Sequence, residues 1–384
     1  MRNSSRHFNN IFVQMRHIRD LVLGRLPFLF YWFMHFMLFP AWILRVLTSK
    51  NKKRANKSVC IEAGSAGWLL IEFKELYSTA CEYLGSEKAF QICIAREHDY
   101  YTQVKTAVTL HRPSHYYFDP RTGSQKWFFA LVESIRITVL LTVHGITPIV
   151  LLADFGARTH RIQAAILTVF RGAVITFITQ SIGRALFPHD RIIAPSLMPF
   201  SLSTLNRLDT MENHTKSHNQ NKVLFVGSLY EPRTAFLYQL AHSLREKGIE
   251  LEIKGREPMG ARRSDAEYWE LLTSYPITVT TNAPEHSMEF PFTPQLTYRY
   301  MEAIASGTLL LAPEVPGCQY FLPGQHFVCY SSLQEANEKI EYYIKHKTDR
   351  FNIARVGKLR ARSLVENKIY WLSIDRVLGK DSLT

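Results

Sequence analysis

Arg299 and Glu302 stand three residues apart in the stretch Arg299-Tyr-Met-Glu302-Ala-Ile-Ala-Ser306-Gly307, which runs into the apolar segment 308–312. Residues at that spacing project from one side of a helix, so this cation and carboxylate either face a ligand together or pair with each other at the surface. Gly307 suits the left-handed residue that closes such a helix. Ahead of it, Phe290-Pro-Phe-Thr-Pro294 reads as a rigid loop at a helix N-terminus, where unpaired N–H groups and the helix dipole favour an anion. A second pattern lies about 70 residues upstream, in Phe225-Val-Gly227-Ser228-Leu-Tyr-Glu-Pro-Arg233. An apolar strand ends in Gly and Ser, turns, and places Arg233 at the opening of a helix. Backbone N–H groups beside a glycine and the fork of an arginine suit a phosphate; a turn with a solvated arginine is the alternative. Lys254, Arg256, Arg262 and Arg263 are candidates for a second phosphate cation or for a solvated loop cluster.

Two carboxylates are candidates for a general base. Asp154 follows the apolar run 148–153 and Glu62 ends the run 58–62. A carboxylate leaving the C-terminal end of a parallel strand faces the ligand crevice, although Asp154 also suits a helix N-cap. The five cysteines are scattered, no C-x-x-C pair occurs, and the histidines lack ligand spacing. Without an Asp-x-Asp motif or such a cluster, no metal and no cofactor is implied.

These residues need a frame, and the hydrophobic pattern supplies one. Short apolar runs alternate with amphipathic stretches over residues 58–200, and again over 222–384. Continuous apolar strands between helices predict parallel sheets covered on both faces. Strands are expected at 58–62, 90–95, 148–153, 173–179 and 191–194, then at 222–226, 250–254, 277–281 and 308–312. Residues 201–221 are polar, lack a long apolar run, and read as the linker between two α/β domains.

The formal net charge of +13 is unevenly spread: residues 1–57 carry +10, and the remaining 327 carry +3. That distribution argues against a nucleic-acid face on the folded body and for contact with anionic lipid. Within the basic segment, residues 26–44 form an uncharged run in which eight of the residues from Phe28 to Trp42 are aromatic. The length just suffices to span a bilayer, while the aromatic content favours the interface; a helix packed on the protein itself is the third reading.

Taken together, the two C-terminal motifs resemble the donor domain of GT-B glycosyltransferases, most closely the group-1 branch that includes the spore-maturation-type enzymes. The resemblance covers about residues 222–378: Gly227 with Arg233, Arg299-x-x-Glu302, Ser306-Gly307, and Pro316-Gly317 through Pro323-Gly324. It implies two Rossmann-like domains facing a cleft and a nucleotide-sugar site built from Gly227, Ser228, Arg233, Lys254, Arg299, Glu302, Ser306 and Gly307. Glu302 would hold ribose hydroxyls, and Arg233 and Arg299 would face the diphosphate or sugar. The expected activity is metal-independent transfer of a sugar to a glycan or lipid-linked acceptor in envelope polysaccharide or glycolipid synthesis. The expected location is the cytoplasmic face of a membrane, peripheral or single-pass. Many relatives carry a second glutamate eight residues before Glu302, where Pro294 stands here. That departure favours the alternative, a non-catalytic, membrane-tethered binding or assembly protein.

Overall fold

The structure is a computed structural model that describes residues 57–64, 70–94, 99–120, 127–153, 158–179, 191–215, 220–229, 231, 233–256, 264–281 and 295–379, together with Phe33, Phe36, Phe39 and Pro40. Two parallel sheets account for the predicted alternation. In the first lobe, strands β1 (Val59–Gly64), β2 (Ala89–Ile94), β3 (His115–Phe118), β4 (Thr147–Leu152), β5 (Ala173–Thr176) and β6 (Ile192–Ile193) lie in the order β2-β1-β3-β4-β5-β6. Helices α1 (Leu70–Leu84), α2 (Tyr100–His111), α3 (Trp127–His144) and α4 (Arg158–Leu167) connect them. In the second lobe, β7 (Lys222–Ser228), β8 (Glu250–Arg256), β9 (Ile277–Val279), β10 (Leu309–Ala312) and β11 (Val328–Cys329) are ordered β11-β10-β9-β7-β8. Its helices are α6 (Arg233–Arg245), α7 (Asp265–Thr273), α8 (Tyr298–Ala305) and α9 (Leu333–Lys345). Each sheet reverses its strand order once, between β1 and β3 and between β7 and β9, and crevices for ligands open at such points.

Strands β3 and β11 go beyond the sequence expectation, and so does one helix, while the tail is helical as its pattern from Arg360 to Leu378 predicts. Residues 201–221 contain a helix, α5 (Leu202–Thr215). Its apolar residues recur singly, at Leu202, Leu205, Leu208 and Met211. That three-residue spacing buries one stripe, with Leu205 and Leu208 in the core, without making an apolar run. The tail is two helices, α10 (Lys347–Glu366) and α11 (Ile369–Gly379), broken where Lys368 takes a left-handed φ of 53°.

Helix α11 returns to the first lobe. Tyr370, Trp371 and Ile374 are buried in a cluster that also holds Ile61, Leu76, Tyr117 and Ile175 of the first lobe and Leu224, Trp269 and Met301 of the second. The return is pinned by polar contacts. Trp371 Nε1 donates to Thr79 Oγ1 at 3.1 Å, the Tyr117 and Tyr370 hydroxyls meet at 2.5 Å, and Asp375 accepts from Lys57 and Tyr83. Two carboxylates of α1 cap the start of α5: Glu75 accepts from Ser201 N and Thr204 Oγ1, and Glu82 from Leu202 N. Burial pushes the Glu75 carboxyl above its ordinary range, against the pull of those bonds.

Of the apolar stretch 26–44, only Phe33, Phe36, Phe39 and Pro40 are described; they are helical, and the three phenylalanines are exposed. The membrane-associated helix expected there otherwise lies outside the described residues. Among the described residues, no helix is long and apolar enough to cross a membrane.

Replacing Trp371 by Ala removes the ring that seals α11 on the first sheet. It is expected to cost about 3–5 kcal/mol in denaturant unfolding, the usual loss for a large buried aromatic. An acid-limb prediction concerns β8. Burial raises the Glu252 carboxyl, but bonds from Lys222, Lys254 and Tyr275 outweigh it and hold the group at about 2. A carboxyl lowered by folding stabilises fully above its unfolded value, and that share is lost as pH falls toward the folded one. Glu252→Gln is therefore expected to flatten the loss of stability between about pH 4.5 and pH 2, measured by urea midpoints across pH.

Candidate functional site

The site builds outward from the strand-order reversal of the second sheet. β7 ends at Gly227 and Ser228, which pair with Gly255 and Arg256 at the end of β8. Glycine on both strands adds no side chain of its own at that level, where Leu229 and Phe225 pack close to the backbone. A Cβ on Gly255 would meet Leu229 at 2.4 Å, and one on Gly227 would lie 3.8 Å from Arg299 Nη2. The backbone at Gly227 is therefore directly accessible to the Arg299 guanidinium.

Arg233, the first residue of α6, reaches back across the reversal. Its Nη1 donates to Ser228 O at 3.0 Å, while Nε and Nη2 donate to Thr281 Oγ1 and Thr281 O at 2.8 and 3.0 Å. The guanidinium also stands 5.8 Å from the Phe225 ring. It thus clamps the end of β7 to the segment leaving β9. Tyr330 fixes the same segment by donating to Thr280 O. The sequence points to Arg233 as a phosphate fork; the structure uses its fork to set the width of the crevice.

Arg299 and Glu302 do share one side of α8. Arg299 Nη1 lies 2.8 Å from Glu302 Oε2. The approach is an ion-pair contact off the hydrogen-bonding direction, since Nη1 is buried without a hydrogen-bond acceptor. Glu302 is only 4% exposed. A carboxylate so buried requires partners, and the second is Tyr268 of α7, whose hydroxyl donates to Oε2 at 2.7 Å. The Arg299 guanidinium sits 5.4 Å from the Tyr268 ring centre, within cation–π range. Tyr268 carries no motif signal, because nothing in its spacing separates it from other half-buried tyrosines. Only the packing of α7 beside α8 reveals it.

Gly307 takes φ 71° and donates to Ile304 O, as its place after the helix requires. Ser306 is fully buried, with Oγ donating to Ala303 O; its hydroxyl serves the helix end rather than the crevice. Lys254, in register with Val226 on the edge strand, pairs with Glu252 at 2.8 Å. The loop 290–294, Arg262 and Arg263 lie outside the described residues.

In the first lobe, Asp154 lies outside the described residues. Glu62 is fully buried, accepting from Tyr100 and Tyr116 hydroxyls at 2.5 and 2.6 Å. Its setting is that of a core carboxylate tying α2 and β3 to β1. The carboxylate at this lobe's own strand-order reversal is Asp119, directly after β3 and also fully buried. It borders Tyr370, whose hydroxyl is pushed up first by burial and further by the Asp119 charge. Among the described residues no cluster has the makings of a metal site.

The lobes also meet at backbone level beside the site. Ile178, just past β5, bridges Gln295, and Leu296 N donates to Phe177 O at 2.8 Å. The start of α8 is thereby tied to the first lobe.

Residues 233–368 match the family described as Glycosyl transferase-like. The matched stretch opens at Arg233 and includes Arg299, Glu302 and Gly307. No curated protein matches the sequence. Among solved structures, HepE of Anabaena in complex with UDP and glucose aligns at a TM-score of 0.50 and 12% identity, over 85% of this chain and 99% of that one. Sucrose-phosphate synthase of Thermosynechococcus elongatus aligns at 0.50 and 12%, over 85% and 98%. At such identity the likeness is one of fold. Residues 233–368 are thus similar to glycosyl transferase-like domains, and the two-lobed Rossmann-like architecture is that of the solved GT-B fold.

Proposed function

We propose that the chain is a glycosyltransferase that binds a nucleotide sugar at the β7–β9 reversal and transfers its sugar to a glycan or lipid-linked acceptor. The observation that carries this reading is the convergence of Gly227, Arg299 and Glu302 at one strand end. A bare backbone, a partly unsatisfied guanidinium and a buried carboxylate there match the three parts of such a donor. Glu302 takes the ribose hydroxyls, and Arg299 turns to the diphosphate. Arg233 holds the strand ends apart at the width the diphosphate needs. Catalysis rests on positioning and on stabilising the departing diphosphate, with no metal in the scheme. HepE was solved with UDP and glucose, so a uridine nucleotide is the first donor to test. Within the group-1 enzymes, the spore-maturation-type branch remains our assignment. Asp154 is the candidate acceptor-side base, and the placement of Glu62 makes it the weaker one.

Residues 1–57 would hold the cleft at the cytoplasmic face of a membrane, near an acceptor of the cell envelope. The concentrated charge and the aromatic run support this reading.

Glu302→Gln keeps the shape of α8 but removes the charge. It is expected to weaken nucleotide-sugar binding by about tenfold or more and to lower donor turnover, the scale of lost bonds to a charged group, while leaving the thermal midpoint within a few degrees. Unchanged nucleotide affinity in calorimetry would refute the donor assignment. Changing Lys50, Lys52, Lys53 and Arg54 together to Gln is expected to weaken sedimentation with phosphatidylserine vesicles by more than about tenfold, given about 1 kcal/mol per basic residue near an anionic surface. Vesicle binding equal to wild type would remove the membrane role of this cluster.

A further inference from the structure

Glu302 has to present its charge to a ligand while almost fully buried, and Tyr268, among its partners, comes from a different helix. We propose that Tyr268 is a positioning residue of the donor site: its hydroxyl fixes the Glu302 carboxylate for the ribose hydroxyls, and α7 ties that setting to the junction between the lobes. The inference rests on the donor reading given above.

Both partners act on the same oxygen. Tyr268 Oη and Arg299 Nη1 approach Oε2 at 2.7 and 2.8 Å. Two contacts on one oxygen fix the rotation of the carboxylate. A phenol does so without adding charge, so the group keeps the negative charge that makes its bonds to hydroxyls strong. A second cation in that place would neutralise it.

The mounting of Tyr268 is built rather than incidental. Helix α7 begins with a full capping box, in which Ser264 and Glu267 satisfy each other's backbone N–H groups. The adjacent Trp269, 2% exposed, stands edge-on to Tyr268 at 5.1 Å and to Phe200 at 5.7 Å. Phe200 belongs to the segment that leaves the first lobe just before α5. From the other side, Lys74 of α1 reaches Asp265 at 3.3 Å. Two contacts from outside the second lobe thus hold the helix that holds the carboxylate.

The test uses the full chain and calorimetric titration with UDP, GDP, ADP and CDP, carrying forward the tightest binder and its 2′-deoxy form. Wild type is expected to prefer the ribose form, and Glu302→Gln to lose that preference. Tyr268→Phe keeps the ring under Arg299 and the contact with Trp269. It is expected to bind the ribose form about tenfold more weakly, the scale of one bond to a charged group, and the deoxy form within about twofold of wild type. KM for the donor sugar nucleotide should rise by a similar factor, with kcat nearly unchanged. Tyr268→His, which returns a ring N–H donor, is expected to recover part of the ribose preference. A merely structural tyrosine would weaken both nucleotides alike. If Tyr268→Phe keeps the full ribose preference while Glu302→Gln has lost it, the positioning role is overturned and the donor site stands. If Glu302→Gln keeps the preference, or none of the four diphosphates binds, the donor reading itself falls. Should Tyr268→Phe fail to fold, the same ratio is read on Tyr268→Leu, which also lacks a donor, and an unaltered ratio there overturns the proposal.

Discussion

The buried carboxylate of Glu302 sets the terms for everything around it. An ionised group at 4% exposure is costly unless paired, so α8 must bring a cation on its own surface and α7 a hydroxyl from the side. Helix α8 is short, Tyr298–Ala305, and cannot hold that geometry alone. It is fixed at its end by Gly307, at its start by the backbone link to Phe177 and Ile178, and along its length by seven buried residues. The crevice follows from this rigidity. Strand β7 ends in glycine beside the arginine, and Arg233 spans the strands on either side of the reversal.

The same economy governs the union of the lobes. Their apolar residues share one cluster, in which residues of both sheets meet α11 and α7. Polar groups inside it are matched to one another: indole to threonine, tyrosine to tyrosine, and the Glu75 carboxylate to the start of α5. Each match removes an unsatisfied group that would otherwise weigh against the junction.

Much of this architecture is legible in the amino-acid sequence. Apolar runs locate β1, β4 to β7, β9 and β10 to within a few residues, because a strand covered on both faces must be apolar, while the edge strands β2 and β8 show as alternation. The Arg299–Glu302 pair and the Gly307 stop are readable because helical spacing and left-handed geometry leave few residue choices. β3 and β11 are not. His115-Tyr-Tyr-Phe118 is short and follows Arg-Pro-Ser, so its four residues make no run, and β11 is only two residues long. With β3 hidden, Asp119 is hidden too, since it gains meaning only from the position of β3 at the strand-order reversal. Helix α5 is masked by the polar residues between its buried positions. Tyr268 escapes for a different reason: its partner lies 34 residues away and is set by packing alone. The roles of Lys254 and Ser306 show the converse, since their neighbours Glu252 and Ala303 occupy groups that spacing leaves open.

The return of α11 has a bearing on how the polypeptide is made. Tyr370, Trp371 and Ile374 complete the apolar covering of a sheet whose first strand begins at Val59. During synthesis that sheet, complete at Ile193, emerges from the ribosome with one face unsealed, and it stays so until about 180 further residues have been added. The first lobe therefore cannot reach its finished state as a nascent chain, and damage near the far terminus is felt in the half of the molecule translated earliest.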